Sequence, residues 1–530
     1  MMSNRPQRPD IVFIVLDTLR ADRLSCYGHP AETTPHLDAF AEKGVLFEHA
    51  ISPAQWTIPA HGSLFTGEQP SAHGTTQIFD KHSAAYPTLA EHLSAGGYRT
   101  AGFCNNPLLG IVENDLDRGF QEFYNYGGVL PNRPDTSGRR ADRFQRSKAW
   151  LHKQISRFNG PIQSVFTRDS ALLNFVLQPW LVAMWERNIN FKGNTHQSIQ
   201  DVLATLSRHH DREDRQPIFV YLNLMETHLP FRVPPSFSRK FAPTYHHDRE
   251  ARAFLRAFNY RTYDWIAPVT KPFTEAQHRV LNEMYNAEVA YEDHLLQSLL
   301  SRLDQPAIRD NTMVIIASDH GEGLDHHHYI GHSLVVYEDL LRVPLIVRYP
   351  PGFPEGKRVD KTVSTRRIFH TILEAAGVEP QCMADDRATT DAARQSLRNS
   401  LNGQTTVQDP VWAEAYPPIT LVQLIEQRNP EAVHLFGCRS IRRTIYEGSH
   451  KLVTIDDAPS ELFDVSTDPA ELENRIAAQP ELAARLHRKL EELVTLAKSR
   501  GTQHLSDRFQ AQLAGDKQLS ERLRRLGYIE

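Results

Sequence analysis

A chain of 530 residues with 59 Lys and Arg against 64 Asp and Glu is long enough for one large α/β domain with an appendage, or for two or three domains. Its near-neutral balance excludes the global field that nucleic acid or an acidic membrane selects. Four cysteines, Cys26, Cys104, Cys382 and Cys438, with no C-x-x-C pair, exclude a disulfide framework and a structural zinc knuckle. Function must therefore sit in a local site, and the conspicuous residue type is histidine: 26 copies, several of them between His320 and His332.

The N-terminal MMSNRPQRPD runs into DIVFIVLD without the zones of a secretory signal, so a cytoplasmic location is the expectation. Short β-branched runs follow along the chain at Ile11–Leu16, Arg99–Phe103, Ile218–Leu222, Met313–Ala317 and Leu345–Val347. Most are apolar on both faces and are separated by helical stretches. That pattern predicts an α/β fold in which a mostly parallel sheet is covered by helices on both sides. Polar residues follow the strand ends: Asp17 after FIVL, Asn105 and Asn106 after AGFC, Glu226 and His228 after FVYLNLM, and Asp319 and His320 after VIIAS. Ligands of open α/β sheets bind beyond the carboxyl ends of the strands, so these side chains are expected in one crevice.

Between about Gly127 and Asn194 the alternation breaks into RRADRFQRSKAWLHKQISRF and ALLNFVLQPWLVAMW, read as a largely helical insertion. The basic run suits a solvated helix face. The apolar stretch, Ala171 to Trp185, is interrupted by Gln178-Pro179 and is shorter than the roughly 18–20 apolar residues of a membrane span. It suits a buried helix pair or a lid, or an apolar wall for a substrate or a membrane surface. From about Asp360 to Pro410 the chain is polar and helix-prone. The strand signals SIRRTIYEGSHKLVTID and SELFDVSTDP then precede helix-forming AELENRIAAQPELAARLHRKLEELVTLAKS. The expected division is a catalytic domain over residues 1–400 and a small α+β subdomain over 401–530, with a short antiparallel sheet and terminal helices.

Two carboxylates and an imidazole at one sheet edge, Asp17, Asp319 and His320, form a charge cluster that a divalent cation would neutralise. In WTIPAHGSLFTG, Thr57 reads either as a residue near a helix N-cap, with Pro59 in the first turn, or as a nucleophile. Direct coordination to a metal is one of the few ways to activate a hydroxyl without an adjacent base. The readings are compatible, since a helix N-terminus offers backbone N–H groups to an anionic ester.

PDIVFIVLDTLRADRLSCYG, TIPAHGSLFTGEQPSAHG, METHLPF, ASDHGEGLDHHHYIGHS, YEDLLRVPLIVRYP and HKLVTID with ELFDVSTDP together resemble, in order from about Pro9 to Asp468, the sulfatase branch of the alkaline phosphatase superfamily. The resemblance implies a three-layer sandwich around a large mixed, mostly parallel sheet, with a small C-terminal subdomain. It implies metal ligation by Asp17, Asp319 and His320, with Thr57 at the nucleophile position. His61 stands where sulfatases carry the arginine of C-x-P-S-R, and His228 resembles the histidine that contacts the ester or protonates the leaving group. His327 matches the histidine of the G-E-H-G stretch, and His332 stands where many members place a substrate-binding lysine. Asn105 or Asn106 adds a polar contact.

Three departures redirect the chemistry. Sulfatases proper convert a cysteine or serine to formylglycine, whereas this chain has Thr57, which cannot give that aldehyde. Thr18 replaces the second aspartate of the usual pair, and His320 stands where sulfatases commonly have asparagine. Imidazole suits manganese or zinc better than calcium or magnesium. The expected activity is therefore metal-dependent hydrolysis of phosphate or phosphonate mono- or diesters. Thr57 is the nucleophile, His228 the proton donor, and His61, His327 and His332 bind the anion. A second cation on His228, His327, His332 and Glu226 is a lesser expectation. Competing readings are a sulfate-ester hydrolase, a phosphoryl-group transferase, and a non-catalytic binding protein. The partner is a small or lipid-like anionic ester, with no nucleic acid and no spanning segment evident; a homo-oligomer is compatible with this sequence.

Overall fold

The alternation along DIVFIVL sets the layering. In the computed structural model Asp10–Leu16 is a buried strand, β1. Its successive side chains point to opposite faces, as in any strand. Ile11, Phe13 and Val15 join one apolar cluster, and Val12, Ile14 and Leu16 join another on the far side of the sheet. The structure describes residues 8–127 except 79, then 132, 134, 192–260 except 213–214, 265, 267–268, 273–380, 395–401 and 410–515. The insertion expected at about 127–194, with its basic run and apolar stretch, lies almost wholly outside the described residues.

After β1 come β2 (Val45–Phe47), α1 (Thr57–Thr66), β3 (Arg99–Cys104), β4 (Glu122–Asn125) and α2 (Thr195–His210). They are followed by β5 (Ile218–Leu224), α3 (Glu275–Leu303), β6 (Thr312–Ala317), β7 (Leu345–Arg348), β8 (Lys357–Val359) and α4 (Arg367–Ala376). The eight strands form one sheet in the order β8-β2-β7-β6-β1-β5-β3-β4. β6, β1, β5, β3 and β4 are parallel, and β7 runs against both β6 and β2. The sheet is thus mixed and mostly parallel. Helices α2 and α3 cover one face through Ile199, Val202, Leu281 and Leu296. Helices α1 and α4 cover the other through Ile58, Phe65, Ile368 and Ile372. Six apolar side chains of β1 are 0 % exposed. At roughly 1.5–3 kcal/mol per fully buried aliphatic or aromatic side chain, the strand that carries Asp17 is also a main support of the core.

A second, antiparallel sheet follows: β9 (Val411–Ala415), β10 (Arg442–Glu447), β11 (His450–Ile455) and β12 (Ala458–Asp464). Helix α5 (Pro480–Gly515) lays Ala483, Leu486, Leu490 and Val494 against Trp412, Ile445, Leu452 and Leu462. The two sheets meet where Ala54 bridges Glu414 and the Glu414 amide donates to Pro53 O at 3.0 Å. Among the described residues no helix is long and apolar enough to cross a membrane. Because β1, β3, β5 and β6 are parallel, their carboxyl ends lie at one edge. The segments that follow them, carrying Asp17, Asn106, His228 and Asp319, therefore converge there.

Candidate active site

Asp17, Asp319 and His320 are fully buried, and their ligand atoms lie within 4.8 Å of one another. His320 Nδ1 lies 3.0 Å from Gly321 O, which can only accept, so Nδ1 carries the proton and Nε2 presents a lone pair. That lone pair faces Asp319 Oδ2 at 3.3 Å and Asp17 Oδ1 at 3.9 Å. Neither of these carboxylate oxygens has a hydrogen-bond partner. Burial pushes both carboxyls up to about 7, for Asp17 with a further contribution from the charge on Asp319. Two orphaned buried oxygens and an imidazole lone pair repel one another unless a cation lies between them, so this donor set fits a divalent metal. Thr18 makes the turn that aims Asp17 with φ 63, a strained value for a β-branched residue. The hydroxyls of Thr18 and Thr227 hold the Asp17 carbonyl at 2.6 and 2.7 Å.

The two readings of Thr57 separate cleanly. Trp56 is the cap residue and makes no side-chain cap; Thr57 is the first helical residue of α1, with Pro59 in the first turn. The Thr57 hydroxyl does not cap the helix. It lies 3.3 Å from His320 Nε2 and 3.4 Å from the Asn106 amide nitrogen. That amide also donates to Asp17 Oδ2 at 2.7 Å, joined by Asn223 at 3.4 Å. Asn106 is thereby the member of the asparagine pair that reaches the cluster. Asn105 points away and donates to Thr195 Oγ1 at 2.9 Å.

The histidines divide. His228 and His332 meet edge to face with centroids 4.9 Å apart, and His332 lies 4.5 Å from His320. His228 Nδ1 donates to Leu229 O at 2.7 Å. Burial lowers both rings, His228 to about 3 and His332 to about 4. His327 is not in this group: it stacks on Tyr337 with centroids 3.8 Å apart, so an anion-binding role for it does not hold. His61 is a second correction. Its ring is 0 % exposed, with Nδ1 2.9 Å from Thr57 O and Nε2 2.7 Å from the Tyr221 hydroxyl, so the protein already occupies both nitrogens. The expected second-cation set is not assembled either. Among the described residues Asp17, Asp319 and His320 alone form a converging ligand group, and Glu226 shares a buried acidic neighbourhood with Glu288 and Glu292.

Sequence reading missed Glu322 and Tyr221. Glu322 is 0 % exposed, and its Oε1 lies 3.1 Å from His332 Nδ1. A carboxylate there accepts the Nδ1 proton and leaves the partly exposed ring to present Nε2. Spacing carried a signal for this, because Glu322 follows the Asp319-His320 pair within ASDHGE. Tyr221 had none: it is one more apolar-looking residue inside a buried strand. Among the described residues no lysine or arginine hydrogen-bonds or ion-pairs with Asp17, Thr57, Asp319 or His320.

Comparison with known proteins agrees with this geometry. The sulfatase family profile matches residues 9–378, and the chain belongs to that family. An arylsulfatase of Clostridium perfringens is 23 % identical over 494 residues, covering 89 % of this chain and 91 % of the relative. Among solved structures, a phosphonate monoester hydrolase of Agrobacterium radiobacter superimposes with a TM-score of 0.61 at 22 % identity, covering 94 % and 96 % of the two chains. A phosphonate monoester hydrolase from Silicibacter pomeroyi gives 0.59 at 20 % identity, covering 93 % and 96 %. The fold is therefore that of the sulfatases and phosphonate hydrolases, and the protein is an ester-hydrolysing enzyme.

Proposed function

We propose that this member of the sulfatase family hydrolyses phosphate or phosphonate esters with Thr57 as its nucleophile, and that it favours monoanionic ones, phosphate diesters and phosphonate monoesters. The observation that carries this reading is the Thr57 hydroxyl 3.3 Å from His320 Nε2, inside the Asp17–Asp319–His320 cluster and uncommitted to capping its helix. The β-carbon of threonine bears a methyl group, so oxidation there gives a ketone and not formylglycine. The sulfatase route is therefore closed to this side chain, and an alkoxide route is open.

Asp17, Asp319 and His320, with the Thr57 hydroxyl beside them, would hold a divalent cation, which would supply Lewis acidity to the hydroxyl and to the ester oxygens. Thr57 Oγ1 attacks phosphorus in line, forming a phosphothreonine bond as the ester P–O bond breaks. Neutral His228, whose Nδ1–H stays on Leu229 O, takes the Thr57 hydroxyl proton at Nε2 and delivers it to the departing alcohol. Water then attacks the same phosphorus as the bond to Thr57 breaks, its proton passing through His228 Nε2 to the leaving Thr57 oxygen. Asn106, bonded to Asp17 and close to Thr57 Oγ1, holds the nucleophile against the carboxylate side of the crevice. The backbone N–H groups at the start of α1 face the anion's oxygens, and His332 donates to them from Nε2 when the Glu322 carboxylate holds its ring as the imidazolium.

The charge preference rests on a count. Two aspartates offset a divalent cation, and no described lysine or arginine reaches the cluster. The site then has little positive charge left for a phosphate monoester, whose second ionisation lies near about pH 6. The test is a matched panel of phosphate diester, phosphonate monoester, phosphate monoester and aryl sulfate with Mn2+, run on wild type and Thr57→Ala. Diester and phosphonate are expected to lead. Thr57→Ala is expected to abolish turnover with its circular dichroism unchanged, and intact mass should show a trapped phosphoryl adduct only in wild type. Aryl sulfate turnover well above every phosphorus ester, surviving Thr57→Ala, would overturn the proposal in favour of sulfate-ester hydrolysis, the activity named for the Clostridium perfringens relative.

A further inference from the structure

His61 lies one helical turn beyond Thr57, on the same inward face of α1. There an imidazole and a phenol are buried together in an otherwise apolar layer. Tyr221, in the middle of β5, is 0 % exposed and packed edge-on against Phe13 at 5.9 Å and Phe65 at 5.1 Å. Phe65 and Tyr221 also fix the His61 ring, at 5.7 and 6.2 Å. Thr57 O can only accept, so His61 Nδ1 is the donor there, and the Tyr221 hydroxyl fills the demand of Nε2 at 2.7 Å. The Nδ1 of His61 also stands 3.5 Å from Asp319 Oδ2, one of the two orphaned carboxylate oxygens of the cluster.

We infer that Tyr221 and His61 form a hydrogen-bonded brace, and that both are positioning residues. Tyr221 fixes the His61 ring; His61 in turn holds the first carbonyl of the nucleophile's helix and orients Asp319. This chain thus puts a neutral two-residue relay where the sulfatase motif has a single arginine, and it substitutes aim for charge. Groups that support metal ligands from behind typically change metal affinity by about 10–100-fold when removed.

The inference rests on the proposed roles of Thr57 and Asp319, and its test separates the two. Mn2+ binding is measured by calorimetry without substrate, then kcat and KM are measured on the best ester of the panel. Tyr221→Phe and His61→Ala are each expected to weaken Mn2+ binding about 10-fold or more, and to lower kcat with KM little changed. His61→Asn keeps an N–H donor near the Nδ1 position and is expected to recover much of the loss relative to His61→Ala. Melting curves and circular dichroism establish that each variant is folded; if Tyr221→Phe does not fold, the His61→Asn against His61→Ala comparison decides. Wild-type Mn2+ affinity and kcat in folded His61→Ala and Tyr221→Phe would overturn the brace and leave the Thr57 reading standing. A raised KM at unchanged kcat in His61→Ala would return His61 to substrate binding. Wild-type protein that binds no Mn2+ would overturn the metal reading on which the brace depends.

Discussion

Glu322 joins the two loops that supply the histidines. It sits in the turn after His320, accepts from His332 Nδ1, and has its backbone carbonyl held by Arg20 at 3.1 Å. Glu322→Ala frees the His332 ring to turn, and a misplacement of about 1 Å can cost about 10²-fold in rate. A loss of that order in kcat is expected. Glu322→Gln, whose amide oxygen still accepts from Nδ1, should recover most of it, and steady-state kinetics at saturating Mn2+ distinguish the two variants. The carboxylates of Asp17 and Asp319 give a second prediction. Their folded values of about 7 lie above the unfolded 3.8, so the metal-free protein binds more protons than the unfolded chain between these values. Stability contributed by the pair is therefore present at low pH and lost as pH rises toward 7. Metal ligands must be deprotonated, so bound Mn2+ reverses that slope. The Mn2+-induced rise in Tm should be small near about pH 5, grow toward about pH 8, and vanish in Asp17→Asn. A rise independent of pH would show that these carboxylates are not the ligands. The same residues mark the limit of sequence reading. Asp17, Asp319 and His320 were legible because strand ends fix where they lie. Asn106 could not be told from Asn105, because consecutive residues past a strand end diverge and only the fold decides which turns inward. His327 sits in a run where it and His328 both adopt positive φ, so its direction follows no helix or strand period.

At the scale of elements, the strands and the crevice at their carboxyl ends were readable from apolar runs and the residues that follow them, because buried parallel strands tolerate polar groups only beyond their ends. Helix α1 was readable as a helix start, but its cap was not: Thr57 suits a cap by residue type, and tertiary contacts with His320 and Asn106 take its hydroxyl instead. The turn after β6 carries the clearest element-scale prediction. Gly321 donates its amide to Leu340 O at 2.7 Å, and a Cβ at Gly321 would overlap the carbonyl oxygen of Asp339. Backbone cannot yield as a flexible side chain would. Gly321→Ala must therefore push the 319–322 turn off the 338–341 helix, at a cost of about 1–3 kcal/mol. Because that turn carries Asp319, His320 and Glu322, the expected result is a lower Tm together with weaker Mn2+ binding. A drop in Tm with unchanged Mn2+ affinity would mean that the turn relaxes without moving its ligands.

Across the whole molecule, the C-terminal sheet was foreseeable from the shift to short alternating strands, whereas its attachment was not. The pairing of Ala54 with Glu414 links residues far apart in sequence and leaves no local pattern. The attachment matters because residues 53–56 lead directly into Thr57. Gln55 donates to Tyr416 O at 3.1 Å, and the Glu414 amide holds Pro53 O. The Glu414 carboxylate, 0 % exposed, accepts from the Ser71 amide at 2.8 Å, Arg443 Nε at 3.0 Å and the Tyr416 hydroxyl at 3.2 Å. Glu414→Ala leaves those buried donors unpaired, at about 1–3 kcal/mol for each that finds no substitute. Arg443 keeps its second partner, Asp457, so the guanidinium is not stranded entirely. The loss therefore falls mainly on the joint between the sheets. Expected outcomes are a lower Tm and a several-fold lower kcat with KM preserved, since no substrate contact is removed. Glu414→Gln retains the acceptor oxygen and should lie between the variant and wild type. Should Tm fall while kcat stays at the wild-type value, the small sheet stabilises the molecule without steadying the nucleophile's approach segment; a fall in both places the C-terminal subdomain within the support of the active site.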